Sequence, residues 1–194
     1  MAKVLVAYYI LAFFIMWYSS FLAQKEITNT YVYNYLLLPI SLFFYFIYFY
    51  KITTSLFKRR VILILLILNI TFDILQRLFT KQPLFFNSTG FALLSITIVI
   101  YCFLFFNDKL KNISENNIYE LKEFWLVSSY FITYSGSFVV FLTYYHLTNK
   151  IYLTNKDDNI YLMTLLWGIP NILLFFSSIL TFIGYLWIQF RKSL

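Results

Sequence analysis

The chain has 194 residues, of which 61% are hydrophobic, 24% aromatic and only 12% charged, about half the charged share of a soluble domain. That composition excludes a soluble globular enzyme, and the formal net charge of +7 reads as Lys and Arg gathered at one face of a membrane, with no nucleic-acid partner. Cys102 is the sole cysteine, which excludes an intrachain disulfide.

Apolar runs of bilayer length predict an all-α membrane protein, a six-transmembrane-helix bundle with spans at about 4–23, 31–50, 61–80, 84–106, 120–145 and 161–190. The expected organisation is one polytopic domain over 1–194 in the bacterial inner membrane, with the lipid bilayer as its first partner. Met1–Ala23 lacks a small-residue cleavage site after a short apolar core and is expected to be a retained first helix. It ends in Trp17 and Tyr18, residues suited to a membrane interface.

The second span opens with Tyr31–Tyr35 around Asn34, bends or starts late at Pro39, and closes in the aromatic stretch Phe43–Tyr50. Lipid contact and an interfacial belt are the expected uses of that stretch; a pigment or quinone pocket is the alternative. The next connection carries Lys51, Lys58, Arg59 and Arg60, the densest basic cluster of the chain and a candidate contact for a cytoplasmic partner or lipid. Placing it in the cytoplasm puts Lys3, Lys109, Lys111, Lys122, Arg191 and Lys192 on the same side. Ten of the 15 basic residues then lie inside, against Lys25, Arg77, Lys81, Lys150 and Lys156 outside. Both termini are then cytoplasmic.

The third span holds the least expected chemistry. Asn69, Asp73, Gln76 and Arg77 share one helical face in an otherwise apolar run, and Asp73 and Arg77 are one turn apart, a spacing that allows pairing. An ionisable group at that depth costs about 2.5–3.5 kcal/mol, which points to function. The structural alternative is that Arg77 snorkels towards the outer surface and neutralises Asp73. This polar intramembrane seam, with Asn171 as a further member, is the candidate site.

Pro83 is expected in the first turn of the fourth span. Asn87-Ser-Thr89 spells a glycosylation acceptor, but such triplets are frequent in an Asn-rich chain and carry no weight. The most polar segment is Asn107–Glu123. Within it Asn117 and Glu120 resemble a capping box, so the fifth helix is expected from about Ile118. That helix carries Ser129, Thr133 and Ser137 at four-residue steps beside Gly136. Small residues so spaced suit close helix packing within the bundle, or an oligomer face. The 147–160 connection repeats Leu-Thr-Asn-Lys at Leu147 and Leu153 and is expected to be an irregular loop, with a hairpin as the alternative. In the sixth span Pro170 should kink the helix, with Asn171, Ser178 and Thr181 continuing on one face towards Gly184.

Conventional catalysis finds no set of residues. His146 is the only histidine, and no Ser–His–acid set, Gly-rich phosphate loop or multi-His metal cluster is visible. No metal and no cofactor are therefore expected.

Phe124-Trp125, Tyr134-Ser-Gly136, Leu166-Trp167 with Asn171, and Ile183-Gly-Tyr-Leu-Trp187 resemble a group of small multi-span membrane proteins of the Bacteroidota. The likeness reaches back more loosely through Phe86-Asn-Ser88 to Tyr33-Asn34-Tyr35. It implies a sensory or accessory protein of the kind encoded beside signalling kinases. The chain departs from that pattern at Leu37–Pro39 and Ala92–Leu94, where acidic residues are usual, and at Pro170, where a histidine is common. A ligand site built on those polar groups would be damaged here.

The expectation is a non-enzymatic membrane protein that senses, scaffolds or assists through a protein partner or a homo-oligomer. The alternative is a pore or transporter, including an oligomeric effector in a stress or defence pathway.

Overall fold

A chain this apolar can satisfy its backbone amides without water only by pairing them within each segment, and helices do that. The computed structural model describes residues 2–79, 86–111, 118–154 and 158–193, which are helical almost throughout and include no strand. The helices are α1 (Ala2–Gln24), α2 (Thr30–Ile52), α3 (Leu56–Phe79), α4 (Ser88–Lys111), α5 (Lys122–Thr154) and α6 (Asp158–Ser193). Each contains a stretch long and apolar enough to cross a membrane, so the class is that of an all-helical protein with six candidate spans. Their outward faces suit hydrocarbon: Phe13, Trp17, Ile64, Leu68, Phe175 and Phe182 are all more than half exposed. Described residues fall into two units, Met1–Leu94 and Ser95–Leu194.

In the first unit α1 packs along α2, and α2 along α3. Tyr8 sits at the centre of the first contact, its ring 5.1 Å from that of Tyr45. The Ser41 hydroxyl donates to Leu37 O at 2.7 Å, so the Tyr8 hydroxyl is the donor in the 2.9 Å bond between them. The aromatic stretch of α2 is therefore divided. Tyr45, Tyr48 and Phe49 belong to the core, while Phe43 and Tyr50 face outward.

Two turns set this unit's geometry. After α1, Ile27 N–H bonds Leu22 O and Glu26 N–H bonds Ala23 O, the paired closure of a Schellman motif, with Glu26 at φ 58° where Gly is commoner. The Asn29 amide then ties the loop back to Ser19 through its hydroxyl (2.9 Å) and carbonyl (3.2 Å). Between α2 and α3, Thr53 turns extended at ψ 128° and ends the first helix. Arg59 donates from Nε to Thr53 O at 2.8 Å, with its guanidinium 5.3 Å from the centre of the Tyr50 ring. One member of the basic cluster is thus part of the turn. Lys51 and Arg60 are exposed, and Lys58 is half-buried.

The second unit is organised on the long α5–α6 pair. Ser129, Thr133 and Ser137 are buried along α5, and their face lies against Leu173, Ser177 and Gly184 of α6. The Thr133 and Ser177 hydroxyls are 2.8 Å apart, and each lies 2.9 Å from a carbonyl of its own helix, Ser129 O and Leu174 O, so one proton makes the bond between the helices while the other serves its own carbonyl. Such an interhelical bond contributes about 0.6 kcal/mol in a membrane. A Cβ on Gly136 would run into the Leu173 side chain, and one on Gly184 into Trp125. Within this unit α4 meets α5 through the Phe103–Phe131 and Phe106–Phe124 edge contacts and a Cys102 thiol donating to Val127 O at 3.6 Å.

Several boundaries differ from those expected. The fourth helix starts at Ser88; Pro83 lies outside the described residues. It continues through Asn107 to Lys111, with Asp108 buried, because nothing in that polar stretch breaks a helix. Ile118–Glu120 is a 3-10 turn that does not begin α5, which starts at Lys122; Asn117 lies outside the described residues. The Trp125 indole reaches back over that turn to Tyr119 O at 2.9 Å.

The 147–160 segment is helical through Thr154 and again from Asp158. No Gly or Pro stands between Gly136 and Gly168 to stop it, and loss of hydropathy is not loss of helix propensity. Helix α6 runs uninterrupted through Pro170. Its polar contact with α5 comes from Ser177, whereas Ser178 is exposed and donates to Leu174 O.

Candidate functional site

The polar seam lies in the first unit, where α3 faces α2 and the start of α4. Asp73 and Arg77 form the expected one-turn ion pair, Oδ2 to Nη2 at 2.6 Å, with the carboxylate side chain 16% and the guanidinium side chain 33% exposed. Arg77 does more than snorkel. Nη2 also donates to the backbone carbonyl of Asn34 on α2 at 3.0 Å, and the guanidinium carbon stands 4.4 Å from the centre of the Tyr35 ring. Carboxylate, carbonyl and aromatic face together hold it.

The backbone of α2 explains why that carbonyl receives it. Tyr33–Leu37 is wound as a π-helix, with Leu38 N–H bonding Tyr33 O five residues back. In that register the donor assigned to Asn34 is residue 39, and Pro39 has no N–H. The arginine supplies a donor to the carbonyl that the proline does not serve. Wide turns of this kind recur at functional sites.

The Asn34 side chain extends the seam to α4. Its Oδ1 accepts from Asn87 N–H at 2.9 Å, and the Asn87 side chain in turn accepts from Gly90 N–H at 2.8 Å. Asn87 is therefore the N-cap of α4, and Gly90 leaves room for that side chain. The rings of Tyr33 and Phe86 meet edge to face at 6.3 Å beside it. Asn87→Ala should cost about 1 kcal/mol, because the cap is lost while the backbone bond to Asn34 survives. Thermal unfolding in mild detergent, with Ser88→Ala as the comparison, checks this.

Asn69 is buried and donates to Leu65 O at 2.8 Å, a bond within its own helix. Beside Asn69 and Asp73 opens a cavity of about 280 Å³, walled otherwise by apolar residues of α2 and α3 and by Gly90 and Leu93 of α4. Asp73 Oδ1 and Gln76 Oε1 are buried and take no hydrogen bond from the described protein.

The structure thus brings Asn69, Asp73, Gln76 and Arg77 onto one seam and adds Asn34, Tyr35, Asn87 and Gly90, which sequence reasoning did not assign to it. Two signals bore on them: Pro39 five residues after Asn34, and Asn87 three before Gly90 at a helix start. Asn171 lies exposed on α6 in the second unit. Among the described residues no group of three His, Cys, Asp or Glu side chains is placed to hold a metal ion. No family of proteins, no curated protein and no solved structure matches the chain.

Proposed function

We propose that this is a non-enzymatic multi-pass protein of the bacterial inner membrane that senses or scaffolds through a protein partner, with both termini on the cytoplasmic side. The observation that carries the reading is the α2–α3 turn. Exposed Lys51 and Arg60 stand beside Leu56 and Phe57, which are 72% and 74% exposed. Exposed basic and apolar side chains within one short stretch suit an acidic partner surface with an apolar centre. The excess of basic residues on this side of the chain supports the orientation.

The test is isolation of the tagged full chain, at native expression, in mild detergent after cross-linking. The expected result is a discrete complex with one partner in fixed ratio, lost in Phe57→Ser/Arg60→Glu while helicity is unchanged. Recovery of the chain alone, as a monomer, would overturn it. A pore or transporter is the second reading, favoured by the cavity beside Asp73. Solute leakage from reconstituted vesicles that vanishes in Asp73→Asn would replace the first reading with this one.

A further inference from the structure

We propose that the cavity between α2, α3 and α4 is a binding site for a membrane-resident amphiphile with a neutral hydroxyl headgroup. The walls are chiefly apolar, with Pro39 and Leu42 on one side and Leu93 on another, and the polar groups Asn69 and Asp73 lie together on α3. That is the composition of a small-molecule site: an apolar chamber with a few placed polar atoms that fix orientation.

The headgroup follows from the state of Asp73. Oδ2 is engaged by Arg77 at 2.6 Å, while Oδ1 is buried and accepts nothing from the described protein. A buried carboxylate oxygen without a donor is costly, so the site rewards a donor. A second full cation is the wrong donor. The carboxylate is already neutralised by Arg77, and an added ammonium would bring an uncompensated charge into a low-dielectric setting. A hydroxyl satisfies Oδ1 and brings none.

Size and access define the rest of the molecule. At the roughly 30 Å³ that a water molecule occupies in the liquid, about 280 Å³ holds a headgroup and the first part of a chain, and the remainder must lie outside. Ile70 forms part of the wall and is itself 43% exposed, between Ile67 and Ile74, at 54% and 51%. The cavity therefore reaches the outward apolar face of α3. An amphiphile resident in the bilayer can enter from the side and leave its tail among the lipids.

The experiment uses the purified full chain in phosphatidylethanolamine/phosphatidylglycerol vesicles and three photoreactive probes of equal chain length: an alkanol, an alkylammonium and an alkane. Saturable labelling of residues 38–42 and 69–73 by the alkanol is expected, about tenfold above the alkane, the factor that one hydrogen bond to a charged acceptor supplies. Ile70→Trp should abolish it by closing the mouth. Ile74→Trp, the same change one turn away on the same exposed face, should leave it intact, and Leu93→Phe should reduce it by filling the chamber from the opposite wall. Circular dichroism of each variant reports the fold. Equal labelling by alkane and alkanol, preference for the ammonium, or indifference to Ile70→Trp would each overturn the assignment.

Discussion

Arg77→Ala is expected to destabilise the protein by more than any single change at its carboxylate partner. Removing one member of a fully buried pair costs about 3–5 kcal/mol, because the other charge is left uncompensated. The Arg77 side chain is 33% exposed, and solvent screening lowers the expected loss to about 2–3 kcal/mol. The loss is not confined to the ion pair, since the same guanidinium bonds Asn34 O and covers Tyr35.

Asp73→Asn should be milder, about 1 kcal/mol, because Arg77 keeps its carbonyl and its ring. Asp73→Asn/Arg77→Gln should then lie closer to the parent than Arg77→Ala alone, a non-additivity expected of groups in contact. Denaturation in detergent micelles, followed by helicity across the four proteins, measures it. Equal losses for Arg77→Ala and Asp73→Asn would show that the bonds to α2 contribute nothing.

The second large effect is expected at Gly184, where Gly184→Ala should cost about 2–3 kcal/mol, at the upper end of the range for overpacking. Its new Cβ would meet the Trp125 side chain at Cβ, Cγ and Cδ2. Those atoms lie near the root of the side chain and cannot swing aside. The indole is also tethered by its bond to Tyr119 O, so rotation would forfeit a hydrogen bond as well. Gly136→Ala is the control. Its Cβ would meet chiefly the Cδ1 tip of Leu173, which can change rotamer, and a loss under about 1 kcal/mol is expected. Thermal unfolding of both variants separates the cases; equal costs would mean that Trp125 has freedom the tether does not suggest.

How much of this was legible in the sequence depended on what each feature requires. Six spans were readable because an apolar run of bilayer length is a local property; five of them fall within five residues of the helices observed at each end, and α5 runs nine residues further than expected. The third helix begins at Leu56, earlier than expected. Ser55 O accepts from Arg59 N–H to open it, and basic side chains can wind in a helix as well as apolar ones. The same reasoning accounts for α5 reaching Thr154.

The Asp73–Arg77 pair was legible because its members share a helix. The rest of the seam was not. Nothing local announces that Asn34 and Asn87, 53 residues apart, share a hydrogen bond, nor that the inward hydroxyl of α6 is Ser177 and not its neighbour Ser178. Those are properties of how helices meet.

The π-turn of α2 acts as an address on the backbone. In an ordinary α-helix Pro39 would fail the carbonyl four residues back, that of Tyr35. Wound as observed, with Leu38 N–H on Tyr33 O, the helix directs the offer to Asn34, one position earlier and about 100° further round the axis. The winding therefore decides which carbonyl of α2 is left for a donor from a neighbouring helix. Deletion of Leu36, an exposed residue within the wide turn, would tighten the turn to an ordinary α-turn and bring Asn34 to four residues before Pro39, so the carbonyl that the proline leaves for Arg77 would still be that of Asn34.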